Sequence, residues 1–256
     1  MKSDTVYRYH KLARYYDITH KEHPYKAQTD FADMVFQKYG NGGKCVLDIC
    51  CGTGEHARYM IEKGYDVTGI DLSGDMLAIF ERKFLNRDRK PSFIQKDITK
   101  LDFEEEFDGA YCFNAFFHMT TYEMVVEALK GVWRSLRNGG VFTFDVFNGW
   151  QMLDTIPHMH VFIESDTKII HFDYNCTINK MRRVKRVDSL WFIEENGHVS
   201  LELDGYELRI FFHDELMFLL ENSGFKPLAI YGDDLSSEFT PDSHFITFIA
   251  RKVMRT

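Results

Sequence analysis

Proline and cysteine are both scarce, at five each in 256 residues. An odd number of cysteines in a chain of this length does not make a disulfide framework. Four of the five fall in strand-like apolar segments, which points to a reducing, cytoplasmic setting. Metal binding by thiolates is equally unsupported, because no spaced CxxC pair exists and adjacent Cys50 and Cys51 point to opposite faces of a continuing strand. The eleven histidines form no recognisable spaced ligand set. No apolar run approaches the roughly 18 residues of a membrane span. Met1 to Asp17 has no apolar stretch of the kind a secretory leader needs, so none is expected. There is no basic excess either: 31 Lys and Arg stand against 39 Asp and Glu, a net charge of −8, which argues against a general nucleic-acid binder. The one basic run, Lys180 to Arg186, reads as a solvated strand edge, with recognition of an anionic substrate as the alternative. What the chain has in quantity is apolar and aromatic residues, 45% and 15%. That is enough for one large domain, or one domain with an insertion.

Residues 46 to 148 alternate short β-type runs with helical stretches. Strands are expected at Cys45–Cys50, Asp66–Ile70, Ser92–Gln95, Phe107–Phe113 and Val141–Val146. Helices are expected over His56–Lys63 and through Met76, Leu77, Ile79 and Phe80. A third helix runs from a capping box at Thr120 and Glu123 to Asn138-Gly139-Gly140. Strand, helix, strand in this order implies a parallel sheet with helices on both faces. From about Val161 to Phe212 the helical period disappears. Five β-alternating segments, Lys168–Tyr174, Cys176–Val187, Leu190–Glu194, Val199–Leu203 and Glu207–Phe212, are broken by turn signals at Glu195-Asn196-Gly197 and Asp204-Gly205. They read as an inserted antiparallel sheet. A helix over His213–Asn222 and an antiparallel strand pair, Pro227–Tyr231 and His244–Ala250, close the chain. The division expected is a helical lid at 1–40, a core at 41–158 and 213–256, and an insertion at 159–212.

The sharpest signal is Val46 to Ala57, VLDICCGTGEHA, where Gly52 and Gly54 let backbone approach a ligand and the following helix offers unpaired N–H groups. Taken alone it also satisfies a dinucleotide fingerprint. Three acids follow three successive strands. Asp48 is placed to support an ammonium group, Asp71 to take ribose hydroxyls, and Asp97 to accept from an adenine amino group while the Ile98 N–H faces a ring nitrogen. Together they fit an adenosine with a cationic amino-acid tail, S-adenosylmethionine.

At this point the sequence resembles the class I S-adenosylmethionine-dependent methyltransferases, through VLDICCGTGEHA, VTGIDLSGDML, IQKDI, FDGAYCFNAFFHM and LRNGGVFTFDV in that order. The resemblance implies an α/β, Rossmann-like, seven-stranded sheet of strand order 3-2-1-4-5-7-6 with the last strand antiparallel. It also implies cofactor contacts from Gly52, Gly54, Asp71, Asp97 and Ile98, with Asn114 near the methionine end. Cys50 departs from the family pattern, which usually has a small residue there. With neighbouring positions added, the expected cofactor set is Tyr25, Asp48, Cys50, Gly52, Gly54, Asp71, Leu72, Met76, Asp97, Ile98 and Asn114.

Methyl transfer from a sulfonium is an in-line displacement, so the enzyme must align a nucleophile and keep it unprotonated. His118, just beyond the fourth strand, is the candidate base. A weaker resemblance to amino-sugar N,N-dimethyltransferases, which place a His here and carry an inserted sheet, supports it. Tyr9 to Asp17, with Leu12, Ala13 and Tyr16, looks like the lid of small-molecule methyltransferases. A tyrosine face there suits a sulfonium, and Tyr16 joins His118 as a candidate catalytic residue. Asp145, Asn148, Glu164, Asp173 and Arg209 are further candidate acceptor contacts. The expected acceptor is a small molecule, methylated at an amine nitrogen, and the insertion either shapes its pocket or makes a homodimer. A NAD-dependent oxidoreductase and a catalytically inactive cofactor-binding regulator remain open on sequence alone.

Overall fold

The computed structural model describes residues 9, 12–153, 158–233 and 235–253; His10 and the first eight residues of the expected lid lie outside that set. Among the described residues the chain opens with a short helix α1 (Tyr16–Thr19) and the longer α2 (Tyr25–Tyr39). The alternating part follows as β1 (Cys45–Ile49), α3 (Glu55–Glu62), β2 (Asp66–Asp71), α4 (Gly74–Phe84), β3 (Ser92–Gln95), β4 (Phe107–Cys112), α5 (Tyr122–Ser135) and β5 (Leu136–Phe147). The insertion is β6 (His158–Glu164), β7 (Thr167–Asn179), β8 (Val184–Glu195) and β9 (His198–Arg209). Then come α6 (His213–Asn222), β10 (Phe225–Tyr231) and β11 (Phe245–Lys252).

Seven strands form one sheet in the order β3-β2-β1-β4-β5-β11-β10. The first five strands pair in parallel, and β11 runs antiparallel to both of its neighbours. This is the expected order. Its central strands are apolar on both sides because both faces are covered. Along β1, Val46 packs with Phe31, Val35, Met60 and Phe80 from α2, α3 and α4. Leu47 and Ile49 face the opposite layer, where Val125, Leu129 and Val132 of α5 and Leu216 and Leu220 of α6 are buried. The period-two alternation of the strand thus feeds two cores. β1 and β4 are neighbours from which the chain winds in opposite directions, the place where sheets of this kind open a crevice at their carboxyl ends.

Three local expectations need correction. The cap of α5 is Thr121, whose hydroxyl accepts from Met124 N, rather than Thr120. Asn138-Gly139-Gly140 lies inside β5, since the helix already stops at Ser135. The insertion has four strands rather than five segments. Asn196 and Gly197 do turn the chain with positive φ. Asp204-Gly205, however, runs straight through β9; the other two turns are Ser165-Asp166 and Lys180 to Arg183, the latter in the middle of the expected Cys176–Val187 strand.

The inserted strands pair antiparallel in the order β6-β7-β8-β9. One face packs Ile169, Trp191 and Ile193 against Leu12, Tyr15 and Ile18 of the N-terminal segment. The register stacks the other face in three rows: Met159–Phe172–Leu190–Leu203, Val161–Ile170–Phe192–Leu201 and Ile163–Lys168–Glu194–Val199. No helix among the described residues is long and apolar enough to cross a membrane.

Candidate active site

A cleft of about 580 Å³ opens at the carboxyl ends of β1, β2 and β4, within the size range of small-molecule and cofactor sites. Its floor is the turn after β1. Cys50, Gly52 and Gly54 all take left-handed φ, 58°, 54° and 83°. For Cys50 this costs on the order of 1 kcal/mol. The two glycines serve different ends. A Cβ built on Gly52 meets nothing within 4 Å and would stand in the cleft, whereas one on Gly54 would fall 2.5 Å from the Phe80 ring. Gly52 therefore leaves room for a ligand, and Gly54 lets α4 pack against the turn.

Asp71, at the end of β2, ties two loops together: Oδ2 accepts from Gly52 N at 2.9 Å and Oδ1 from Ser73 N at 2.8 Å. Each carboxylate oxygen can accept more than one hydrogen bond, so this fixed carboxylate is compatible with a ribose diol. Asp97 caps the short turn at Ile98, with Thr99 N and Thr99 Oγ1 both on its Oδ1. Leu72, Met76, Asp97 and Ile98 all line the cleft, as do Cys50, Gly52, Asp71 and Asn114. These positions of the expected cofactor set therefore come together.

Three others are not in the wall: Gly54, which packs against the Phe80 ring, Asp48 and Tyr25. Asp48 lies beneath the glycine turn, 2% exposed, and burial pushes its carboxyl up to about 8. At neutral pH it is largely uncharged, unlike the ammonium partner expected from sequence. Tyr25 sits outside the wall, with its ring edge-on to His23 and His56 at 4.6 and 5.0 Å between centroids; burial holds its hydroxyl protonated.

Asn114 follows β4 with φ 57°, a conformation asparagine tolerates better than most residues. Its backbone N donates to Asp145 Oδ1 at 2.6 Å, and its Nδ2 lies 2.8 Å from His23 Nε2 and 3.3 Å from Gln28 Oε1. Gln28 Oε1 also meets His56 Nε2 at 2.8 Å. A polar chain thus connects α2 to the turn after β4 and sets the position of Asn114. Buried Asp145, its carboxyl pushed up to about 7 by desolvation, supports that turn and does not line the cleft. Asn148 likewise holds the Pro241 and Ser243 carbonyls. Glu164 pairs with Lys21, Asp173 with His171 and Ser189, and Arg209 with Glu215. None of these expected acceptor contacts is in the wall.

His118 ends the short turn Phe116–His118 and lines the cleft. Its Nε2 lies 3.0 Å from Tyr9 Oη. Tyr16 also lines the cleft; burial raises its pKa well above the ordinary phenol value, and its ring stacks on His20. It is a neutral donor at physiological pH. The N-terminal segment is fastened over the floor at several points. The Tyr9 carbonyl accepts from Ser73 Oγ, Asp17 accepts from Thr53 Oγ1 at 2.6 Å, and Asp17 pairs with Lys83 at 2.8 Å.

Among the contributors that sequence reasoning missed, four come from the lid and the insertion. Tyr9 belonged to the lid pattern but was not chosen over Tyr16 and Tyr25. Arg182 and Arg186 come from the basic run, and with Glu207 they bring the inserted sheet into the wall. Arg182 pairs with Glu207 at 3.2 Å and Arg186 with Asp188 at 2.8 Å.

Comparison with known proteins gives the site a context. A methyltransferase domain family matches residues 46–140, the stretch that builds the floor and both of its acid-bearing loops. YqeM of Bacillus subtilis (strain 168), which carries a methyltransferase name, is 28% identical over 247 residues, covering 95% of this chain and 97% of that one. A glycine/sarcosine N-methyltransferase of Aphanothece halophytica is 28% identical over 222 residues, covering 83% and 77%. Among solved structures, an S-adenosylmethionine-dependent methyltransferase from Clostridium acetobutylicum ATCC 824 superposes with TM-score 0.81 at 20% identity, covering 94% of this chain and 98% of that one. The sugar N-methyltransferase KedS8 from Streptoalloteichus sp ATCC 53650 does so with TM-score 0.76 at 21% identity, covering 91% and 90%.

Proposed function

We propose that the chain is a class I S-adenosylmethionine-dependent methyltransferase, a reading supported by the methyltransferase domain match and the relatives above, and that it methylates an amine nitrogen of a small-molecule acceptor. The observation that carries this reading is His118, which shares one cleft with Asp71 and Asp97 and holds its imidazole against the Tyr9 hydroxyl. A neutral imidazole suits an amine acceptor, which is mostly ammonium near neutral pH and must lose a proton before its lone pair can react. The names of the glycine/sarcosine and sugar N-methyltransferases point the same way.

S-adenosylmethionine supplies an electrophilic methyl group on a sulfonium. The residues of this chain do the rest. Asp71 and Asp97 hold the nucleoside, Gly52 leaves space for it, and Tyr16 presents a neutral aromatic face in the wall, which attracts a cation. His118 takes the proton from the acceptor nitrogen, with Tyr9 fixing the imidazole edge. Arg182 and Arg186 give the acceptor end of the cleft a cationic margin.

The test is turnover with methyl-labelled cofactor against a panel of glycine, sarcosine and amino-sugar nucleotides. His118→Ala should lower turnover by roughly 10²–10⁴-fold while calorimetry finds cofactor affinity nearly intact. An unchanged rate rejects His118 as the base, and failure of every amine in the panel alongside turnover of a hydroxyl or thiol acceptor rejects the nitrogen.

A further inference from the structure

Cys50 stands at a left-handed φ of 58°, where a glycine would sit without strain, and that conformation redirects its side chain. Strict alternation along β1 would send Cys50 to the layer of Val46. Instead it packs with the layer of Leu47 and Ile49, which also holds Cys112. Cys51 goes to the other layer, where a Cβ built on Gly69 would fall 2.8 Å from its Sγ. Cys112 ends β4, which runs parallel to β1 with Asp48 beside Tyr111. Ile49 therefore stands beside Cys112, and Cys50 one residue further on. With strands about 4.8 Å apart and a rise of about 3.3 Å per residue, the Cys50 and Cys112 Cα atoms lie about 6 Å apart, inside the roughly 4.4–6.8 Å that a disulfide spans. The two thiols differ in access. Cys50 is half-buried and lines the cleft, whereas Cys112 is fully buried behind it. Burial, and then the hydrogen-bonded Cys50 thiol, hold the Cys112 thiol well above its ordinary pKa, so it stays protonated.

We infer that Cys50 and Cys112 form a site of reversible oxidation, reached by a small peroxide through the cleft and shielded when the cleft is filled. Only the shielding rests on the cofactor reading proposed above. Access sets the order of events. The Cys50 sulfur, as thiolate, attacks one oxygen of the peroxide: an S–O bond forms, the O–O bond breaks, and the second oxygen leaves as water with the proton that the thiol gave up. The Cys112 sulfur then attacks the Cys50 sulfur. The S–S bond forms, the S–O bond breaks, and the hydroxyl departs as water with the Cys112 proton. Two thiols are oxidised and one peroxide is reduced to two waters. A thiol reductant reverses the change by exchange at the same sulfurs. Cys45, Cys51 and Cys176 do not line the cleft, so none of them meets the oxidant there. The cross-link ties the turn carrying Gly52 to the turn carrying Asn114, both in the cleft wall.

Intact-mass and non-reducing peptide analysis of the full chain treated with hydrogen peroxide tests this directly. The chain should lose about 2 Da, two hydrogens, with the Cys50 and Cys112 peptides joined, and dithiothreitol should restore the original mass. Cys112→Ser should stop instead at oxygen adducts of about 16 Da each on Cys50. Because Cys112 lies in the core, Cys50→Ser gives a second variant at a half-buried position; its Cys112 should stay reduced. S-adenosylhomocysteine at about 100 times its Kd leaves roughly 1% of the sites open and should slow the cross-link at least tenfold. An unchanged mass, a cross-link between other cysteines, or oxidation of Cys112 in Cys50→Ser overturns the inference. An oxidation rate that bound S-adenosylhomocysteine leaves unchanged overturns the shielding. Calorimetry that finds no binding of S-adenosylhomocysteine to a chain that still forms the cross-link removes the cofactor reading and leaves the oxidation site standing.

Discussion

Along the seven-stranded sheet, the polar residues at the strand ends are held by backbone N–H groups; along the inserted sheet, the corresponding work is done by side chains. Asp71 and Asp97 accept from Gly52, Ser73 and Thr99 amides, and Asp145 accepts from Asn114 N. Arg182 and Arg186, by contrast, place their guanidinium groups through side-chain pairs with Glu207 and Asp188. A backbone-tied carboxylate keeps one orientation whatever the ligand, which suits the cofactor site proposed above. Exposed ion pairs are worth at most about 1 kcal/mol, so they can be rearranged cheaply for each acceptor. Rigidity and variability are thus divided between two sheets that share one cleft.

The strongest way to break this contrast is at Gly54. Gly54→Ala adds a methyl group that meets the Phe80 ring at a left-handed φ of 83°, and should lower unfolding stability by about 2–4 kcal/mol. Gly52→Ala, whose methyl group meets open space, should lower it by only about 1 kcal/mol and instead weaken cofactor binding. Urea denaturation beside calorimetry separates the two. Equal stability losses would mean that the turn is not divided between packing and ligand space. Next comes Asp71→Ala, which leaves two amides without their acceptor. Cofactor affinity should fall about a hundredfold, or about 2.7 kcal/mol, and a fall under threefold would take Asp71 out of the cofactor site.

The last effect is electrostatic and is read as a slope against pH. Burial holds the Asp145 carboxyl up to about 7, far above the ordinary aspartate value near 3.9. The folded protein therefore keeps a proton that the unfolded chain releases, and stability falls as pH rises between about 4 and 7, then levels off. Asp145→Asn keeps the acceptor oxygen for Asn114 N and removes the titration. It should flatten that decline by up to about 1.4 kcal/mol per pH unit, leaving the similar contribution of Asp48, which extends to about pH 8. An unchanged slope in denaturation midpoints between pH 4 and 7 would show that Asp145 is ionised in the fold.

The sequence carried the parallel sheet well because buried strands and capped helices are local signals. β3 occupies Ser92–Gln95 as expected, and the glycine turn lies where the motif placed it. The insertion was harder to read. Asp204-Gly205 looks like a hairpin turn, yet Gly205 serves another need: a Cβ there would fall 2.6 Å from Arg186 Nη2. The real turn lay inside a basic run, signalled only by Asn179, whose side chain accepts from Arg182 N. Within the site, Asp71, Asp97 and Gly52 were legible because strand ends dictate their place. Burial was not, so Asp48 was taken for a charged acid supporting an ammonium group through water or the loop backbone. The rotation of the N-terminal aromatics was not legible either, and so Tyr25 was chosen where Tyr9 stands. Arg182 and Arg186 reach the cleft only through the folding of a distant segment.

The link from Asp17 to Lys83 and Thr53 also sets a condition on how the chamber empties. In the reading proposed above, spent cofactor lies beneath the N-terminal segment and leaves after a contact that is partly ionic has opened. Dissolved salt, which hardly touches the apolar layers, screens that contact. Ionic strength thereby acts on the exit rate, a step that limits the cycle in many enzymes, without altering the chemistry inside.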